Sequence, residues 1–138
     1  MPNIDGLQFR TNINNDWSTY NINTVIILTD VDDYVQFQNT NNNLSFVTVS
    51  NNTYNYVHFS MEGKIAASGN IQSMLNYSTS CLPYCYYSMF TKCTSLTTAP
   101  ELPAPTLADH CYYNMFNLCG NLRYIKVGFT NWNNRKWN

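Results

Sequence analysis

Charge is what this sequence has least of. Only 11% of its 138 residues are Asp, Glu, Lys or Arg, and the formal net charge is -1, against roughly a quarter charged in ordinary soluble domains. Such a chain has no field to steer a polyanion, so neither nucleic acid nor an acidic membrane is expected as a partner. Long hydrophobic runs are also missing. The longest tight apolar run is Val25-Ile26-Ile27-Leu28, far short of the ~18 residues of a membrane span. No Gly-rich phosphate loop occurs. The opening Met1-Pro2-Asn3-Ile4-Asp5 has neither the basic nor the apolar region of a secretory signal. With Met1 as the native start, the expectation is a chain kept in a cytoplasm, or one that leaves by another route.

Candidates for chemistry are thin. No nucleophile and base stand out as a pair. His58 lies between Val57 and Phe59 in an apparent strand and reads as a structural or surface histidine. His110 precedes Cys111, and its counterpart 26 residues earlier is Tyr84, so that position carries an aromatic type rather than a catalytic one. A Cys-His reading of Cys111 fails because the same Cys recurs at Cys85. Asp30, Asp32 and Asp33 could be offered as a calcium loop, but the Gly and distal Glu of such a loop are absent, and a solvated turn is the better reading. No two acids are placed as a glycosidase pair would be. The expectation is a protein that is not an enzyme, with no metal and no cofactor.

What the sequence does have is polar neutral residues and aromatics. Hydrophobic residues make up 44%, enough for a core, and there are 11 Tyr. Aromatics with polar tips suit half-buried strands and contact surfaces. The five Cys are Cys81, Cys85, Cys93, Cys111 and Cys119. An odd count and regular columns fit buried thiols acting as small hydrophobes better than a disulfide framework. Disulfides are the first alternative, and a zinc pair using Cys81-x3-Cys85 or His110-Cys111 is a weaker one.

Residues 1–70 predict short β-strands. Leu7-Gln8-Phe9-Arg10 and Tyr34-Val35-Gln36-Phe37-Gln38 alternate, and Trp17-Ser18-Thr19-Tyr20 is aromatic at both ends. Residues 24–29 are β-branched and read as a buried strand. Ser50-Asn51-Asn52-Thr53 separates two further strands over 44–49 and 54–59 and suits a hairpin loop. Lys64-Ile65-Ala66-Ala67 closes a set expected to form a small sandwich or barrel-like β-domain. Ser68-Gly69-Asn70 then breaks the pattern.

The rest repeats. Cys85-Tyr86-Tyr87-Ser88-Met89-Phe90-Thr91-Lys92-Cys93-Thr94-Ser95-Leu96 returns 26 residues later as Cys111-Tyr112-Tyr113-Asn114-Met115-Phe116-Asn117-Leu118-Cys119-Gly120-Asn121-Leu122. A fixed period of this size signals stacked units. Within each unit, positions equivalent to Tyr86, Met89 and Phe90 fall at i, i+3 and i+4, which predicts a short helix or 3₁₀ segment. A short strand follows, then an extended return enforced by Pro100, Pro103 and Pro105. Residues 71–77 keep the helical piece alone, as a truncated end unit. Residues 128–138 carry Trp132, Trp137, Arg135 and Lys136. Two readings stand side by side: a cap in which Phe129 and Trp132 cover the last unit, and an exposed docking peptide.

Residues 89–108, Met-Phe-x-x-Cys-Thr-Ser-Leu-Thr-Thr-Ala-Pro-Glu-Leu-Pro-Ala-x-Thr-Leu-Ala, resemble the BspA-like leucine-rich repeat of bacterial surface proteins and of bacteriophages from the same gut hosts. The resemblance is specific over 66–127 and softer upstream. It implies a fold that is mainly β with short helices: a small N-terminal β-sandwich-like domain over 1–70, a short leucine-rich-repeat-like stack over 71–127 and an aromatic tail or cap over 128–138. It implies an adhesive scaffold without catalytic residues. Few repeats and no export signal point to a virion surface protein, a capsid decoration or head fibre that docks on capsid proteins and displays the stack to host-surface glycans or proteins. The alternative is a bacterial cell-surface or secreted adhesin. A homo-oligomer is expected, a trimer if it is a fibre. The candidate binding residues are Tyr86, Tyr87, Tyr112, Tyr113, Trp132 and Trp137, with the outer Tyr of each pair favoured.

Overall fold

A computed structural model describes residues 3–41 and 45–131. The described residues are mainly β with one short helical turn. Strands β1 (Leu7–Thr11), β2 (Ser18–Thr19) and β3 (Val35–Asn39) form an antiparallel sheet in the order β2-β1-β3. The turn into β1 closes with Leu7 N–H donating to Ile4 O at 3.0 Å, and Gly6 takes the positive φ of 73° at its third position, which a type II turn requires. β1 and β3 pair from Leu7↔Asn39 to Thr11↔Val35. β4 (Thr48–Ser50) and β5 (Thr53–Asn55) make the expected hairpin. Asn51 and Asn52 both have positive φ, as a type I′ turn needs, and Asn tolerates it best after Gly.

Several strand expectations change: the strand over 54–59 shortens to β5, and those over 64–67 and after each repeat reduce to single bridges at Ile65, Leu96 and Val127. Residues 24–29 form no strand, and Val25 and Ile27 are 81% and 72% exposed. The segment joins neither outer strand of the sheet β2-β1-β3. Turns hold it instead: Thr24 N–H donates to Asn21 O at one end, and Thr29 N–H donates to Asp33 Oδ2 at the other. The three-stranded sheet also finds no second sheet to face. It packs through β3 on the 3₁₀ turn Ile71–Leu75 and on Phe59, so the expected sandwich is replaced by a sheet lying on the stack. Leu44 of the expected 44–49 strand lies outside the described residues.

From residue 46 the chain winds as three stacked coils: coil 1 over 46–81, coil 2 over 82–107 and coil 3 over 108–129. Parallel contacts join successive coils. β6 (Ser80–Cys81) pairs with β7 (Thr106–Leu107), and single bridges join Ile65 to Leu96, Asn70 to Glu101 and Leu102 to Val127. The 3₁₀ turn at Ile71–Leu75 confirms the short helical piece expected there. Asn70 caps it by accepting from Gln72 N–H, one of the donors a helix start leaves free.

The two full repeats are not helical. Their odd-numbered residues close successive turns: Cys85 N–H donates to Leu82 O, Tyr87 to Tyr84, Met89 to Tyr86, Thr91 to Ser88 and Cys93 to Phe90. Their even-numbered residues donate to the next coil: Tyr84 to Asp109 O, Tyr86 to Cys111, Ser88 to Tyr113, Phe90 to Met115 and Lys92 to Asn117, all within 2.8–3.3 Å. Every second turn carries a positive φ at its third residue, at Tyr84, Ser88 and Lys92 and again at His110, Asn114 and Leu118. A left-handed residue every fourth position rules out a helix, while type II turns call for it. Pro83 fits the second position of the first such turn.

The core is a set of columns. One runs Phe46, Tyr86, Tyr112, Phe129, with ring centroids 6.2, 5.7 and 6.2 Å apart. Another runs Phe37, Phe59, Phe90, Phe116, at 5.4, 5.0 and 5.6 Å. These spacings follow from the distance of about 4.8 Å between neighbouring β-strands: Tyr86 stacks on Tyr112, Tyr112 on Phe129, Phe59 on Phe90 and Phe90 on Phe116, while Phe46 tilts on Tyr86 and Phe37 meets Phe59 edge-on. Phe129 is buried beneath Tyr112, where the cap reading of the tail puts it; Trp132 lies outside the described residues. Cys93 and Cys119 do more than fill space. Their thiols donate to Phe59 O at 3.2 Å and Phe90 O at 3.0 Å, so each satisfies a carbonyl of the coil before.

Candidate functional site: an outward aromatic face

The Tyr pairs of the repeats divide cleanly. Tyr86 and Tyr112 are 0% exposed and belong to the core column, so they offer no face to a ligand. Burial pushes both phenols up. The Tyr86 hydroxyl donates to Gln72 Oε1 and to Ile71 O, which is how a phenol is accommodated there. Tyr87 and Tyr113 point to the other side of the coil and are half-buried. Adjacent residues around a tight turn cannot share a face, so one Tyr of each pair goes in and the other out. Trp132 and Trp137 lie outside the described residues.

The outer rings form a continuous surface. Tyr87 and Tyr113 stack at 5.2 Å with planes 3° apart. Tyr84 and His110, the residues left-handed in φ, stack beside them at 4.9 Å and 7°. The hairpin β4–β5 and its exit bring Tyr54 and Tyr56 over the coil 2 rings: Tyr54 lies 4.7 Å from Tyr84 and 5.7 Å from Tyr87, and Tyr56 lies 4.8 Å from Tyr87. Tyr54 and Tyr56 are each 37% exposed. His58 adjoins Tyr56 at 6.1 Å. The signal for Tyr84 and His110 was present in the repeat as an aromatic position. Tyr54 and Tyr56 had none, because coil 1 does not repeat the motif.

The electrostatics of the face are neutral. A hydrogen bond with Tyr54 pushes the Tyr84 phenol up, and burial does the same for Tyr87. Both therefore stay protonated at physiological pH and keep a hydroxyl that donates and accepts. The surface combines flat apolar rings with neutral polar tips, which can stack on a planar or ring-shaped solute and hydrogen-bond its substituents.

The other candidates resolve into structure. The Asp33 carboxylate accepts from Thr29 N–H, Asp30 N–H, Thr29 Oγ1 and Asn12 Nδ2. These bonds, with that from Asp30 foremost, hold it down at about 2, and they tie a turn. Among the described residues no group of three His, Cys, Asp or Glu side chains is arranged to hold a metal ion, and no helix is long and apolar enough to cross a membrane. No protein-family model, curated protein or solved structure matches this chain.

Proposed function

We propose that this protein is a non-enzymatic recognition module whose outward aromatic face binds a glycan on a host cell surface, and that it is displayed on a virion as a capsid decoration or head fibre. The observation that carries the binding reading is the stacked pair Tyr87–Tyr113, extended by Tyr84–His110 and overlaid by Tyr54 and Tyr56. Half-exposed rings arranged in register offer a sugar a flat surface for its C–H face, and the hydroxyls offer partners for its polar edge. Ordering the rings costs little on binding, because each is already held by the coil above or below it. The likeness of residues 66–127 to BspA-like leucine-rich repeats supports reading the coils as such a repeat stack, and it supports the virion setting.

The test is a glycan array prepared from host-surface polysaccharides, followed by titration of the best hit. Tyr87→Ala and Tyr113→Ala should each weaken binding by about tenfold or more, on the scale of losing one stacked aromatic at a contact centre. Tyr124→Ala, exposed on coil 3 away from these rings, should bind as the parent does. Unchanged binding in both face variants would remove the face from the function. Mass spectrometry of purified virions should find the chain; its absence would remove the virion setting while leaving the glycan reading intact.

A further inference from the structure

Residues 24–29, Thr-Val-Ile-Ile-Leu-Thr, have the composition of a strand and form no ladder. Turns fix both ends. Thr24 N–H donates to Asn21 O, Thr24 O accepts from Tyr20 Oη, and Thr29 N–H donates to Asp33 Oδ2. Between these ends, no hydrogen bond among the described residues uses the backbone of Val25, Ile26, Ile27 or Leu28. Burial alternates as along a strand: Thr24 and Ile26 are half-buried, whereas Val25 and Ile27 are 81% and 72% exposed. Such a segment leaves apolar surface in water, and its open backbone is a template for another strand.

We propose that this segment is the interface of a two-fold dimer, in which it pairs antiparallel with the same segment of a second copy. The register follows from which backbone groups are free. Along a strand, alternate residues present their N–H and C=O to the same edge. Thr24, Ile26 and Leu28 share one edge, and both Thr24 groups on it are engaged. Val25 and Ile27 share the other edge with Thr29, whose N–H is held by Asp33. Centring the two-fold axis on Ile26 sets Val25 opposite the partner's Ile27 and Ile27 opposite the partner's Val25. Each pair then exchanges both of its N–H···O bonds, using groups with no other role. Centring the axis on Ile27 would call on the engaged Thr29 N–H. In the favoured register the two Ile26 side chains meet across the axis as a non-hydrogen-bonded pair, where side chains come closest.

Charge selects a second copy as the occupant and sets its direction. The segment carries no charge, so no like charges oppose one another when it meets itself. Asp30, Asp32 and Asp33 follow directly. Antiparallel pairing carries the acids of each copy past the Thr24 end of the other, toward the uncharged Asn21, Ile22 and Asn23. Parallel pairing would set the two acidic turns side by side. An interface that uses the same patch on both partners closes at two, unlike the trimer expected of a fibre. The dimer does not depend on the aromatic face or on its glycan.

Analytical ultracentrifugation of the full chain at about 1 mM, a concentration suited to an interface at the small end of the range, should give a species of twice the 15.9 kDa chain mass. Val25→Lys/Ile27→Lys and Val25→Glu/Ile27→Glu should each sediment as monomers, because each paired position then opposes like charges. The substituted positions are exposed, so both variants should keep the urea midpoint of the parent. Mixed in equal amounts they should dimerise again, with lysines facing glutamates. Ile26→Cys, oxidised and peptide-mapped, should be linked through position 26 of both copies, which reports the register. A monomeric parent would leave this edge to a strand of another protein and overturn the proposal. So would a dimer that survives in both charged variants, a mixture that stays monomeric, or the absence of a link at position 26.

Discussion

The aromatic rings of the N-terminal sheet and those of the coils meet at different angles. In the sheet, Phe9 and Tyr20 cross at 85°, and Tyr20 and Phe37 at 70°. In the coils, Phe59 and Phe90 lie 19° apart, Phe90 and Phe116 13°, and Tyr87 and Tyr113 3°. Phe37 against Phe59, at 64°, is where one regime gives way to the other. In the sheet the crossing rings are not register partners: Phe9 stands opposite Phe37, and Tyr20, just past β2, meets both edge to face. A repeat places the same residue in the same rotamer one coil away, so the rings are parallel by translation. The sheet can lose one partner and repack locally. A column transmits a vacancy to the rings on both sides.

The contrast can be broken first by truncating a ring in each region. Phe90→Ala, buried between Phe59 and Phe116, should lower stability by about 4 kcal/mol, whereas Phe37→Ala, which is half-buried, should cost about half as much. Urea unfolding of the two variants measures the difference, and equal losses would dissolve the distinction. The next effect is smaller and of opposite sign. Lys92 holds a φ of 62°, so Lys92→Gly should relieve left-handed strain and stabilise by up to about 1 kcal/mol. Were residues 85–93 helical, the same change would destabilise by about as much. The smallest effect tests the sheet side. Asp33, held at about 2 by its turn, contributes stability that is complete above its ordinary value near 4 and is lost as pH falls through about 2. Thermal midpoints measured from pH 5 to pH 2 should decline less steeply in Asp33→Asn than in the parent.

Much of this was legible because the chain writes one pattern twice. Met89 and Phe90 were expected inside and are inside; Tyr86, on their face of the pattern but also offered as a binding residue, is inside with them. The reason given for it was a helix, and the structure uses turns. Over five residues a period of four cannot be told from one of 3.6, so both geometries bury the same side chains. The residues that settle the matter, Tyr84, Ser88 and Lys92, are not glycines, and nothing in their identity announces a positive φ. Residues 24–29 misled for a different reason: β-branched side chains favour a strand only where they pack on a half-buried pleated surface, and here Val25 and Ile27 are left exposed. On the outer face, Tyr87 and Tyr113 were recoverable from the repeat, while Tyr54 and Tyr56 reach it through a hairpin whose register against coil 2 leaves no trace in composition.

The backbone hydrogen bonds described between coils along the aromatic arc run one way, while the Cys93 and Cys119 thiols donate back to Phe59 O and Phe90 O. Phe46 and Phe59 donate forward to Cys85 O and Met89 O, and five even-numbered residues of coil 2 donate forward to coil 3. The ladder at Ile65 and Leu96 runs both ways instead: Ile65 N–H donates to Ser95 O and Thr97 N–H donates back to Ile65 O. Peptide dipoles aligned in this way add, as they do along a helix. The arc therefore carries a field along the stacking axis, positive toward coil 3, although the chain as a whole is close to neutral. The stack has a chemical direction as well as a chain direction, and whatever extends it past coil 3 must meet that side with carbonyls.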